Sequence, residues 1–247
     1  MIRTPQNSPS APHSDAGLAQ RLAALRQRIE LAAGAAGRDV RSVTLLAVSK
    51  GQDIARLRAA LALGLTQFGE NYVAEALPKI AALQGSGACW HFIGRLQANK
   101  TRAVAEHFAW AHGIDRLKIA ERLSAQRPAH AGPLNVCVQV RVAEDPAKAG
   151  VEAAELLPLA RQIVQLPHLT LRGLMCMLPY GATGPQQHAA FAQVRHLAAA
   201  VRAEGLPLDT LSMGMSADME AAIAEGATVV RIGTALFGAR PVIESTP

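Results

Sequence analysis

Apolar residues recur along this chain in two rhythms. Leu18, Leu22, Leu25 and Ile29 repeat at helical spacing and predict an opening helix, which Gly34 and Gly37 end. From residue 44 onward, short β-rich runs alternate with helical stretches. The predicted strands are "TLLAVSK" (44–50), "QFGE" (67–70), "CWHFIG" (89–94), "WAHGI" (110–114), "LNVCVQV" (134–140), "LRGLMCM" (171–177), "TLSMGMS" (210–216) and "VVRIG" (229–233). Between the first two, Ile54, Leu57, Leu61 and Leu65 share a helical face, with Gly64 as the stop. Asp115 is placed to cap "RLKIAERLSAQ", which Pro128 follows. Pro158 is predicted to kink or restart "VEAAELLPLARQIVQ", and Ser216 to cap "ADMEAAIAEG".

Eight strands, each followed by a helix, predict the α/β class and a single (β/α)₈ TIM barrel with an extra N-terminal helix. An open doubly wound sheet is the alternative, but no GxGxxG follows the first strand. The expected division is a polar Pro/Ser-rich tail over 1–15, the barrel over 16–242 and a short tail over 243–247. Of the 247 residues, 50% are hydrophobic and 18% charged, which suits a large core and excludes a disordered chain. Aromatics are only 4%, so aliphatic side chains and alanine must fill that core.

The formal net charge of +6 raises the question of an anionic ligand or nucleic acid. The basic residues are dispersed; the densest group is Arg95, Lys100 and Arg102, with no run of five. This argues against nucleic acid. Three cysteines without a CxxC read as buried free thiols in a reducing compartment. With no signal-like or membrane-spanning apolar stretch, the expected location is cytoplasmic.

A barrel carries its active site at the carboxyl ends of its strands, and four such ends are distinctive. Lys50 closes an apolar run. Alternation places it on the face of Leu46 and Val48, hence in the mouth if those residues point inward. There a desolvated amine is a nucleophile toward an aldehyde; the alternative is a solvated lysine past a strand. "SMGMSAD" and "VVRIGTALFG" each lead into a helix start, so Ser216, Gly233 and Thr234 form two anion-binding turns after strands seven and eight. Ser216 could equally be a plain cap. Arg231 shares the inward face with Gly233 and needs a partner, either a ligand or an acid such as Glu70. Asn71, in "FGEN", could cap a helix or touch a ligand. An aldehyde-seeking lysine, a phosphate site and an inward arginine converge on pyridoxal 5′-phosphate (PLP). An arginine facing the ring nitrogen has no acidic proton to share, so the electron sink is weak.

At these residues the sequence closely resembles the pyridoxal phosphate homeostasis proteins, the PLP-binding or YggS/PROSC family. The likeness runs from about Leu18 to Arg240, through "AVSK", "QFGENYVAEALPKI", "WHFIG", "LQANK", "IDRLKIAERL", "LRGLM" and "LSMGMSADMEAAIAEGATVVRIGTALFG". The resemblance implies a fold-type III PLP barrel like the N-terminal domain of alanine racemase. It makes Lys50 the Schiff-base lysine, Ser216, Gly233 and Thr234 the phosphate ligands, and Arg231 the partner of the pyridine nitrogen. Asn71 and Met175 of "GLM" would line the pocket. Arg95, and a short loop in "MCMLPYGATG" after strand six, depart from the family pattern and concern only the rim.

Two functional classes compete. A racemase- or decarboxylase-like PLP enzyme needs acid–base groups on both faces of its substrate. Alanine racemase takes its second base, a tyrosine, from a C-terminal β-domain, which is not expected here because the chain stops soon after strand eight. Tyr72 and Tyr180 lie in no comparable motif. His91 and His112 are the best spare bases, though such histidines are more often satisfied core or rim residues. The resemblance implies instead a mostly monomeric, non-catalytic protein of vitamin B6 homeostasis, with PLP-dependent client enzymes as further partners. A phosphosugar-binding barrel enzyme is the remaining alternative. No HExxH or paired-ligand spacing suggests a metal, and no GxSxG a serine hydrolase.

Overall fold

The computed structural model describes residues 15–142, 149–179 and 181–238. Eight parallel strands close into a barrel in sequence order. They are β1 (Thr44–Val48), β2 (Gln67–Glu70), β3 (Cys89–Phe92), β4 (Trp110–Ile114), β5 (Leu134–Gln139), β6 (Leu169–Met175), β7 (Thr210–Ser212) and β8 (Val229–Ile232). β8 pairs with β1, Thr44 to Ala47 opposite Val229 to Ile232, and so leaves no open edge. The open-sheet alternative falls on that pairing.

Nine α-helices connect and flank the strands of the described residues: α1 (Asp15–Ala35), α2 (Ile54–Ala62), α3 (Val73–Ala82), α4 (Thr101–His107), α5 (Leu117–Gln126), α6 (Ala153–Ile163), α7 (Gly184–Ala203), α8 (Met219–Ala224) and α9 (Thr234–Phe237). Their ends follow local chemistry. At the end of α2, Gly64 takes φ +82°, the Leu65 N–H reaches Ala60 O, and the Gly64 N–H reaches Leu61 O. That double bond is the Schellman stop expected there. α6 and α7 open with reciprocal capping boxes, Glu152 with Glu155 and Thr183 with Gln186.

Three local expectations are corrected. Asp115 does not cap α5; its carboxylate accepts from the Arg116 guanidinium and the helix starts two residues later. Ser216 does not cap α8, which begins only at Met219 after a turn in which Asp218 accepts from the Met215 N–H. Pro158 does not break α6. It lies on the exposed face with Ala154, the residue whose carbonyl a proline at 158 cannot serve, and water can reach that carbonyl.

The strands alternate sharply between two environments. Ala47, Phe68, Trp90, Phe92, Val136, Val138, Leu174, Leu211, Val230 and Ile232 face the helices and join one large aliphatic core. Leu46, Val48, Ile93 and Val229 form a separate small cluster, the apolar half of the barrel lumen. The lumen also holds buried polar side chains: His91, His112, Ser212 and Arg231. In a regular barrel an eighth helix after β8 closes the outer ring. Here α9 has only four residues, and α1 packs against α2, α8 and α9 in that place. Its buried stripe is the predicted one: Leu18, Leu22, Leu25 and Ile29.

Candidate cofactor site

The carboxyl ends of β1, β2, β7 and β8 converge on one mouth. β1 stops at Val48, two residues short of the predicted end, and Lys50 is half-buried in the following turn. The inward facing of Leu46 and Val48 places that turn over the lumen, as the alternation predicts. Asn71 follows β2 directly. Its side-chain Oδ1 is enclosed and has no hydrogen-bond partner among the described residues. Its carbonyl packs so closely on Gly94 that a Cβ there would lie 2.3 Å away, so only glycine fits. Ser216 is half-buried in the turn between β7 and α8. Gly233 lies beside Val48, and Thr234 is exposed at the start of α9. α1 braces the Ser216 turn and the helix that follows Gly233: Arg28 donates to Ser216 O at 3.3 Å and Arg21 to Leu236 O of α9 at 2.7 Å.

Arg231 lies in the lumen on β8, almost fully buried. It does not pair with Glu70, so the structural ion pair considered for it is absent. One guanidinium nitrogen donates to the Ser212 carbonyl and hydroxyl, and the other to Cys176 O at 2.8 Å. All three acceptors are formally neutral. From Ser212 the polar contacts continue across the lumen. Ser212 Oγ meets His112 Nδ1 at 2.8 Å, His112 Nε2 meets His91 Nδ1 at 2.9 Å, and His91 Nε2 meets Gln67 Oε1 at 2.8 Å. Burial lowers the His91 pKa to about 3 and holds His112 well below the ordinary imidazole range. Both rings are therefore neutral at pH 7, and each nitrogen is occupied. They are satisfied core residues rather than spare bases. Cys137 and Cys176 are also buried, and desolvation pushes both thiols up to about 12, which keeps them protonated and inert.

Glu70 instead meets Lys79, which reaches inward from α3. The pair is buried on both sides, with Nζ–Oε1 at 2.7 Å. Burial raises the Glu70 pKa, against hydrogen bonds from Lys79 and Ser49. Met175 ends β6. Its neighbours Leu174 and Cys176 belong to the outer core, so alternation turns Met175 to the lumen side, where it is buried. Tyr72 is 66% exposed at the mouth. Tyr180 lies outside the described residues, and Arg95 is exposed. The mouth thus brings an amine, an unmatched amide oxygen and two loop turns over a buried guanidinium. Ser212 and Lys79 were not singled out by sequence. Ser212 had a readable signal, since it shares the inward register of β7; the reach of Lys79 across to β1 had none.

The family profile "Alanine racemase, N-terminal domain" matches residues 20–241. A Pseudomonas aeruginosa protein named "Pyridoxal phosphate homeostasis protein" is 56% identical over 223 residues, covering 90% of this chain and 96% of the relative. The chain belongs to the pyridoxal phosphate homeostasis protein family. A family member of the same name from Escherichia coli K12 is 48% identical over 226 residues, covering 90% of this chain and 97% of its own. Among solved structures, PipY of Synechococcus elongatus PCC7942 with PLP bound is 42% identical, with a TM-score of 0.79 over 90% of this chain and all of that one. Alanine racemase of Corynebacterium glutamicum, at 19% identity and TM-score 0.64, shares the fold. The family assignment, the barrel and the opening helix agree with the sequence reading.

Proposed function

We propose that this protein binds PLP at the C-terminal mouth of its barrel, with Lys50 as the amine that takes the aldehyde carbon, and that it serves PLP homeostasis without catalytic turnover. The observation that carries this reading is Lys50 in the turn above a buried arginine that has no carboxylate partner among the described residues. When bound, PLP supplies an electrophilic aldehyde and an electron-withdrawing ring. Ser216, Gly233 and Thr234 would hold the phosphate, Asn71 Oδ1 would gain a donor, and Met175 would help to line the pocket. The Arg231 guanidinium would face the ring nitrogen and, because it keeps its protons, would leave that nitrogen an acceptor. The names of the relatives and the PLP bound in PipY support the cofactor.

Two features support carriage over turnover. His91 and His112 are neutral, buried and fully engaged. Tyr72, the tyrosine described at the mouth, is exposed to solvent. No described helix is long and apolar enough to cross a membrane, and no described group of three His, Cys, Asp or Glu could hold a metal. A monomer in the cytoplasm that exchanges PLP with client enzymes is the fuller form of the proposal.

The test is the absorbance spectrum of the purified protein with added PLP, before and after borohydride, followed by peptide mapping. The expected outcome is a band that borohydride removes while fixing the cofactor on Lys50, and its loss in Lys50→Ala. No band with added PLP would leave a phosphate-binding barrel for another ligand.

A further inference from the structure

The turn that carries Lys50 is held from outside the mouth. Ser49 and Gln52 close it, with the Gln52 N–H on Ser49 O at 3.0 Å, and Gly51 takes φ +72°. A positive φ at the third position of such a turn is the type II form. There the peptide joining Lys50 and Gly51 faces the opposite way from its type I orientation. Reversing it rotates ψ of Lys50 and φ of Gly51 together. The Gly51 N–H is the group that marks this orientation, and it donates to Glu75 Oε1.

Glu75 does not act alone. Its same oxygen accepts from Lys79 Nζ at 2.6 Å, one helical turn along α3. Lys79 gives its other two protons to Ser49 O and Glu70 Oε1, each at 2.7 Å. All three ammonium donors are thereby used. Glu70 Oε1 also accepts the Ser49 hydroxyl proton at 2.6 Å. One ammonium and two carboxylates thus fix both peptides that flank Lys50. The cost is a buried ion pair and a Glu70 Oε2 that has no partner among the described residues. Removing charge here and packing the space with aliphatic groups would serve stability as well or better. The network is better explained by what it holds.

We propose that Glu75 and Lys79 are positioning residues for Lys50: they lock the Lys50–Gly51 peptide in one orientation, so that the amine is presented to the aldehyde of PLP. This rests on the reading of the mouth as a PLP site. Glu75 is partly exposed, so it can be changed in the full-length protein without opening the core. Glu75→Ala removes the acceptor for Gly51. Glu75→Gln keeps an oxygen there and serves as the conservative rescue.

The first readout needs no cofactor: hydrogen exchange of the Gly51 amide by NMR. We expect it to quicken by about tenfold or more in Glu75→Ala and to stay within about threefold of wild type in Glu75→Gln. The second is the fraction of added PLP that borohydride traps on Lys50. It should fall several-fold in Glu75→Ala and recover in Glu75→Gln, at matched melting temperatures. A simple brace would move the melting temperature and leave the trapped fraction alone. Equal Gly51 exchange in all three proteins would overturn the lock. Equal trapping in wild type and Glu75→Ala would overturn the positioning role alone. A wild type that traps no PLP, with Gly51 still protected, would sink the cofactor reading and this role with it.

Discussion

His91 and His112 lie end to end in the lumen, between a glutamine at one mouth and Arg231 at the other. Each neutral ring has one donor and one acceptor nitrogen. Gln67 presents an oxygen, so His91 donates from Nε2, His112 donates from Nε2 to His91, and Ser212 gives its proton to His112. The Ser212 oxygen is then free to accept from Arg231, at 2.9 Å. A proton on either ring would break this sequence and add charge beside the guanidinium. Sequence marked both histidines as notable and leaned toward satisfied core or rim residues, but it could not name the partners, because these come from three other strands. The pH consequence has a definite sign. The folded pKa of His91 is about 3, below its ordinary value of 6.5, so the unfolded chain binds the proton more readily. The stability this preserves is complete above about pH 6.5 and is lost as pH falls toward 3, by about 2 kcal/mol at pH 5 for His91. Melting curves at pH 7.5 and pH 5 check this. Wild type should lose more stability on acidification than His91→Gln, and parallel losses would count against it.

The connecting elements hold themselves by devices that periodicity does not reveal. Helix stripes and strand alternation were legible because each strand buries one face on helices and the other in the lumen. Strand ends were not, since the buried alternation continues through Ser49 and Met213, past the last ladder residue and into the turns of the proposed site. Arg127 is an equally hidden element-scale feature. It follows α5 and reads as an ordinary surface residue, yet it is buried. Its guanidinium donates to Ala105 O and Phe108 O at the end of α4, and to Ala131 O and Gly132 O before β5. Five donors in a planar fork suit four carbonyls; an ammonium cannot span them. Arg127→Met should cost about 3 kcal/mol by stranding buried carbonyls, a fall in melting temperature on the order of 6–12 °C. Arg127→Lys should recover only part of it. This loop enters β5 at its amino end, the face that serves stability in a barrel, so PLP affinity should be unchanged in both folded variants.

At the scale of the whole molecule, the outer helical ring is completed by a helix from outside the βα repeat. Periodicity identified the buried stripe of α1 but not what covers it, because a stripe names a face and not a partner. In the fold, α1 packs beside the short α9 in the eighth helical position and reaches the Ser216 turn and α9, the two elements of the proposed phosphate site. Arg28 makes the connection that can be cut most cleanly. It bonds Ser216 O at 3.3 Å and pairs with Glu220 at 2.7 Å, with both side chains of that pair at least 40% exposed. An ion pair so open to water contributes between zero and about 1 kcal/mol. Arg28→Ala should therefore leave the melting temperature within about 2–4 °C of wild type. If α1 serves only to close the ring, PLP affinity should follow stability and barely move. If it also fixes the Ser216 turn, the affinity should fall by about threefold to tenfold while the borohydride-trapped adduct still maps to Lys50, because the turn that carries Lys50 is bonded to side chains of α3. Titration of PLP against both proteins, with inorganic phosphate as competitor, separates the two. A phosphate inhibition constant that weakens in step with PLP places the loss at the Ser216 turn, and an unchanged pair of constants would reduce α1 to a closing helix.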